Sequence, residues 1–291
     1  MEFVTGEPWP VKAHIKYVVA WHGWNHDSDT EEARSNLHFD TRRSPENYQT
    51  IPLGRTASNI LGIDFKPIKP IVNLKKYKRS IQERYVCINT MSTAQSKFWN
   101  YGYVRGKDRD YGLGWQLVIY YLNSIGYKVV MMNRDTVYGY GGDGYDKREM
   151  WNEHKFRQVI DKTGREYDIE NRIADLKYAD FYIGLNSGMG WIAWMVGTPV
   201  ITITNLQPPE FLVPAVKVVS RSKNYEYNEN ICTDCCMEYP FKRDSWMFCP
   251  RHYNTEREFE CSTTISPKMV IEKIREYINE NNLRDGLDER K

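Results

Sequence analysis

The chain has 291 residues, 27% of them charged, and a formal net charge of +2 at pH 7, a balance that argues against a nucleic-acid partner, which calls for a basic stripe. No run approaches the ~18 uninterrupted apolar residues of a membrane span, and the opening residues Met1 to Glu7 lack the basic and apolar regions of a secretory signal. The expected setting is therefore the cytoplasm, away from a membrane. Aromatic residues reach 14%, with 21 Tyr and 9 Trp, and are read as core and subunit contacts rather than sugar platforms.

Residues 1–80 form an irregular region. Its one apolar run, from Ile15 to Trp21, reads as a strand, and polar residues follow from His22 to Gln49. His22 and His26 sit four apart near Asp27 and Asp29, but no helix is signalled there, so they read as a polar loop. A short helical piece from Arg55 to Leu61 stops at Gly62. The basic, proline-bearing stretch from Lys66 to Arg79 reads as a linker.

Strands and helices alternate from residue 84 to 204. Tyr85-Val86-Cys87-Ile88-Asn89 has the pattern of a buried strand. A helix is predicted over 115–125, because Val118, Tyr121, Leu122 and Ile125 recur at helical spacing, and Gly126 stops it. Lys128 to Met132 is the next strand, followed by a polar Gly/Tyr-rich insertion from Asp135 to Asp146. Asp168 caps a helix with a buried stripe of Ile169, Ile173 and Leu176. Strand 181–185, a turn, helix 190–196, stop Gly197 and strand 200–203 complete the unit. Such alternation implies a mainly parallel, Rossmann-like sheet covered on both faces. Ser266-Pro267 opens a final helix, with Val270, Ile271, Ile274, Tyr277 and Ile278 as its apolar face.

Five of the six cysteines lie between Cys232 and Cys261, and in a reducing compartment such a cluster reads as metal ligands before disulfides. Cys232-Thr233-Asp234-Cys235 is a C-x₂-C knuckle. Cys249 and Cys261 return to it, and four sulfurs suit zinc or a rubredoxin-like iron in a closed, structural site. Cys236 reads as a non-ligand neighbour.

Two loops open on one edge of the sheet. Asn186-Ser187-Gly188-Met189-Gly190 joins a strand to a helix, where backbone N–H groups and a helix N-terminus can receive a phosphate. Ser92-Thr93-Ala94-Gln95-Ser96-Lys97 follows the first strand, and its hydroxyls and ammonium suit a diphosphate. Together they nominate Ser92, Thr93, Gln95, Lys97, Asn186, Ser187, Gly188, Met189 and Gly190 as residues that bind a diphosphate ligand.

The segment from Ala179 to Trp194 resembles the nucleotide-binding segment of bacterial autotransporter heptosyltransferases. Cys249 to Cys261 resembles that family's finger segment, Ser92 to Asn100 its sugar-nucleotide loop, and Leu53 to Asp64 its connector. The likeness runs in order from about Pro52 to the C-terminus. It implies the C-terminal half of a two-domain GT-B glycosyltransferase, with a Cys232, Cys235, Cys249 and Cys261 finger holding structural iron, zinc being the alternative. It also implies transfer of heptose from ADP-heptose to a serine or threonine hydroxyl of an acceptor protein, homo-oligomers, and Glu170 as a further nucleotide contact.

The resemblance divides the chain into a reduced N-terminal region and connector (1–80), the Rossmann-like domain (81–221), the finger (222–262) and a C-terminal helix packing on that domain (263–291). In the family a full N-terminal half precedes the connector and carries an aspartate base. About fifty residues precede Pro52 here, and nothing around Asp40 or Asp64 recommends either as that base. The catalytic residue is left unassigned, and the expectation is that a partner chain or a reduced N-terminal region completes the cleft. The competing reading is a non-catalytic nucleotide-sugar-binding or assembly protein.

Overall fold

A computed structural model describes residues 68–92, 97–103, 113–134, 156–207, 211–222, 231–235 and 249–283, with Arg55, Ser58 and 63–66. The chain divides into two units, Met1–Pro67 and Ile68–Lys291. In the first, Arg55 and Ser58 are helical, and Ile63 N–H donates to Ser58 O at 3.0 Å, the backward bond of a helix C-terminal turn. The expected strand at Ile15 and the histidine-bearing loop lie outside the described residues, as do Gly62 and the insertion at 135–146.

The second unit holds six strands: β1 (Tyr85–Asn89), β2 (Lys128–Met131), β3 (Ile160–Asp161), β4 (Tyr182–Leu185), β5 (Val200–Ile203) and β6 (Lys217–Val219). Its described helices are α1 (Leu113–Ser124), α2 (Ile169–Tyr178), α3 (Gly188–Val196), α4 (Glu260–Thr263) and α5 (Pro267–Glu280). The strands lie in the order β3-β2-β1-β4-β5-β6, and every pairing is parallel. This is the doubly wound arrangement that the alternating pattern predicts.

Alternate strand residues feed two separate cores. Val86, Ile88, Val129, Met131, Ile183 and Leu185 pack with α1 and α5, while Tyr85, Cys87, Val130, Met132 and Tyr182 pack with α2 and α3. The period-2 alternation of a strand explains the division. Gly126 (φ 93°) and Gly197 (φ 96°) end α1 and α3 in the left-handed region, as their sequence positions predict. Ser266 Oγ accepts from Met269 N–H at 3.3 Å to cap α5, whose buried face runs through Val270, Ile274, Tyr277 and Ile278.

Two elements depart from the sequence expectations. Asp168 does cap α2, accepting from Asn171 N–H at 2.8 Å, but Ile169 is 55% exposed. It lies in the first turn, before the helix reaches the sheet, so the buried stripe is Ile173 and Leu176. The stretch read as a linker is docked from Leu74 onward. Lys177 Nζ donates to the carbonyls of Leu74 (2.9 Å) and Tyr77 (3.1 Å), and Ser80 Oγ to Asp175 Oδ1 (3.1 Å). Its backbone carbonyls and Ser80 tie it to α2, while its basic residues stay exposed.

Candidate donor-binding site and cysteine cluster

In the strand order, β1 and β4 are neighbours. The chain leaves β1 for β2 on one side, and leaves β4 for β5 on the other. That reversal opens a crevice at the carboxyl ends of the two strands, where open α/β sheets bind ligands. Asn89 pairs with Gly184, so the loops after β1 and β4 emerge side by side. These are the two loops that the sequence nominates.

The floor of the crevice is rigid. Asn133, past β2, accepts from Thr90 N–H through Oδ1 (2.8 Å) and donates to Thr90 Oγ1 through Nδ2 (2.9 Å). Arg172 is buried in α2 and donates to the carbonyls of Met132, Asn133 and Gly164. A guanidinium is the one side chain with enough fixed donors to close three strand-end carbonyls at once. Thr90, Asn133 and Arg172 escape sequence reading, because their partners are distant in the chain.

At the β4 end, Asn186 Nδ2 donates to Gln207 Oε1 (2.5 Å) and Phe211 O (3.1 Å). Its Oδ1 is buried with no protein partner, as are Ser187 Oγ, Tyr182 Oη and Thr202 Oγ1. Burial pushes the Tyr182 phenol up. Unsatisfied buried polar atoms cost about 1–3 kcal/mol each; two of these, Asn186 Oδ1 and Ser187 Oγ, lie just past β4, where a ligand can supply partners. Ser187 is the N-cap of α3 but makes no side-chain cap bond; Gly190 N–H turns back to Ser187 O at 3.1 Å, while the N–H groups of Gly188 and Met189 at the helix end receive no cap from that side chain. A Cβ at Gly188 would meet nothing within 4 Å, so the approach to that helix end is open. Met189 packs partly into the core, and Gly190 is buried.

Across the crevice Ser92 and Lys97 are half-buried, while Thr93 and Gln95 lie outside the described residues. Glu170 stands apart from both loops in its bonding. Its Oε2 accepts from Tyr77 Oη (2.6 Å) and Lys76 Nζ (2.6 Å), and Lys76 first, then Tyr77, hold its carboxyl below the usual range.

The Cys232–Cys235 knuckle sits along the same edge of the sheet. Asp234, within the knuckle, adopts φ 58°, donates its N–H to Asn205 O beyond β5 (3.5 Å) and accepts from Ser222 Oγ beyond β6 (2.6 Å). Among the described residues, no group of three or more His, Cys, Asp or Glu side chains stands in metal-holding positions. One pair of the cysteines has the spacing of two ligands on a tetrahedral metal. Cys232 Sγ and Cys235 Sγ are 3.8 Å apart, and metal–sulfur bonds of ~2.3 Å give a tetrahedral edge of about 3.8 Å. All four cysteines are free thiols. Cys261 is pushed up by burial and then by Cys235, Cys249 and Cys232, so the four thiols sense one another, and a cation among them reverses that repulsion. Burial pushes the Cys249 thiol up, with the nearby backbone N–H groups of Phe259 and His252 opposing, an arrangement that favours a thiolate once a cation is present. Cys236 lies outside the described residues.

No family model matches the chain. Autotransporter heptosyltransferase TibC of an enterotoxigenic Escherichia coli is 34% identical over 263 residues, covering 87% of this chain and 58% of TibC. Autotransporter heptosyltransferase BAHTCr of Citrobacter rodentium is 34% identical over 243 residues, 81% of this chain and 52% of that protein. An inactive autotransporter heptosyltransferase, BimC of Burkholderia thailandensis, is 26% identical over 235 residues, 79% of this chain and 49% of BimC. The crystal structure of TibC, a dodecameric iron-containing heptosyltransferase in complex with ADP-D-beta-D-heptose, aligns with TM-score 0.69 and 32% identity over 83% of this chain and 57% of TibC. The chain thus spans about half to three-fifths of the length of these relatives.

Proposed function

Because the chain belongs, over the length it shares with them, to the autotransporter heptosyltransferases, we propose that its Ile68–Lys291 unit binds the nucleotide-sugar donor of a glycosyltransferase, with ADP-heptose as that donor. The observation that carries this reading is the β1/β4 crevice. There an uncapped helix end and the orphaned Asn186 and Ser187 oxygens stand beside the Lys97 loop. The diphosphate lies on the α3 N-terminus, near Ser187, Gly188, Met189 and Gly190, and Lys97 balances its charge. Ser92, Thr93 and Gln95, from the same stretch of sequence, are assigned to donor binding with it.

In the transfer, an acceptor hydroxyl forms a bond to the anomeric carbon. The bond from that carbon to the diphosphate breaks, and ADP leaves with the electron pair. Donors fixed on the leaving diphosphate favour the charge that develops there. The hydroxyl proton goes to a base that the described residues do not assign. Protein serine or threonine is the proposed acceptor class, in the cytoplasm, with the chain working as a homo-oligomer. What supports an oligomer is that TibC is dodecameric. Glu170, held by Lys76 and Tyr77, orients the stretch before β1 rather than the nucleotide.

Cys232, Cys235, Cys249 and Cys261 are the proposed ligands of one structural metal. Iron is favoured over zinc because TibC is iron-containing. Bound there, the metal supplies a cross-link between the knuckle and the return segment, with no open position for chemistry.

The inactive relative BimC favours keeping a second reading, a nucleotide-sugar-binding assembly protein without turnover. Titration calorimetry with ADP-heptose, ADP and UDP-sugars tests donor binding, and release of ADP in the presence of an acceptor separates the two readings. Failure to bind any nucleotide sugar by folded, metal-loaded protein removes both.

A further inference from the structure

The residues just after Lys97 are fastened to the segment that carries Cys249 and Cys261. Trp99 Nε1 donates to Ile265 O at 2.8 Å. Asn100 Nδ2 donates to Ser262 Oγ, also at 2.8 Å, and Ser262 adjoins Cys261. Tyr103 Oη donates to Glu258 Oε2 at 2.8 Å, and its ring stands edge-on to Phe259 at 5.5 Å. All three bonds are buried, where hydrogen bonds are strong and their loss is costly. Phe259 is itself held at φ 59°, an uncommon conformation for a bulky residue that its surroundings must enforce.

We propose that Trp99, Asn100 and Tyr103 are positioning residues that couple the cysteine cluster to the donor crevice, so that metal and nucleotide bind with linked affinities. The inference rests on the donor-site reading above. A metal drawing Cys249 and Cys261 to the knuckle fixes residues 258–265. Through three buried bonds that segment fixes the chain leading out of Lys97, and with it the ammonium that meets the diphosphate. Because linkage is reciprocal, nucleotide on Lys97 must in turn tighten the hold on the metal. The metal then sets donor affinity as well as stability.

The test uses the full, iron-loaded chain. The rate of iron release to a chromogenic chelator is measured with and without saturating ADP, and ADP occupancy is checked by calorimetry on the same sample. ADP is expected to slow release roughly tenfold, the range of ordinary coupling. The pair Ser262→Ala and Tyr103→Phe removes two of the three bonds and is expected to take away most of that slowing while ADP still binds. Tyr103→Phe alone removes one hydroxyl and gives a partial loss, which keeps the test readable if the double variant does not fold. Release unaltered by bound ADP overturns the proposal. So does slowing that is equal in wild type and variants, since ADP would then act only by stabilising the whole fold. Absence of ADP binding to the loaded wild type instead overturns the donor reading, and this inference with it.

Discussion

The hydroxyl of Tyr182 lies where a side chain at Gly184 would begin: a Cβ at Gly184 would stand 2.2 Å from it. Both residues point to the same face of β4, two positions apart, and the Tyr182 ring is fully buried. Nothing there can give way. Gly184→Ala is therefore expected to destabilise by about 1–3 kcal/mol. Thermal melting reads this as a fall of about 2–4 °C for each kcal/mol in a unit of this size. Tyr182→Phe removes a buried hydroxyl that has no hydrogen-bond partner, and its melting temperature should equal or exceed that of wild type.

Gly188→Asp separates binding from folding. The position opens into free space and sits in the first turn of α3, where a carboxylate is favourable to the helix. The melting temperature should hold or rise. The same carboxylate occupies the phosphate position and repels it, so ADP affinity should fall at least roughly tenfold. Lys97→Ala should weaken ADP by a similar factor.

Removing one sulfur should empty the metal site. Cys232→Ser and Cys249→Ser are each expected to lower the metal-to-protein ratio sharply and to lower the melting temperature, because metal binding and folding are linked. Metal analysis decides between iron and zinc, and visible thiolate-to-iron absorption should accompany iron alone.

Glu170 gives a pH dependence of known sign. Its folded carboxyl is held low by Lys76, then Tyr77. Its contribution is therefore full above the unfolded value of about 4.3 and is lost as pH falls through the lower folded value. The pair is half-exposed, so the effect is small. The melting temperatures of wild type and Glu170→Gln should differ slightly at pH 7 and converge below about pH 4. ADP affinity should be the same in both.

The doubly wound core was legible because long apolar runs such as Tyr85 to Ile88 alternate with amphipathic helices and glycine stops. Strands β3 and β6 were not, since two or three residues, Ile160–Asp161 and Lys217–Val219, carry no periodicity and exist only as parallel additions to β2 and β5. Ile169 misled because a periodic stripe says which face is apolar, but not where along the helix the sheet begins. That the loops after β1 and β4 share one edge of the sheet could be read from the strand–helix alternation and is what the structure shows. The buried bonds of Trp99, Asn100 and Tyr103 to residues 258–265 could not, because hydrogen bonds across more than 150 residues leave no mark on local pattern.

The most direct test of the donor site is calorimetric titration of folded, metal-loaded protein with ADP-heptose, in wild type and in Gly188→Asp. The account predicts saturable binding that prefers ADP-heptose to UDP-sugars and is lost in the variant at an unchanged or higher melting temperature. Equal affinity in the two proteins, or no binding by wild type, would contradict it.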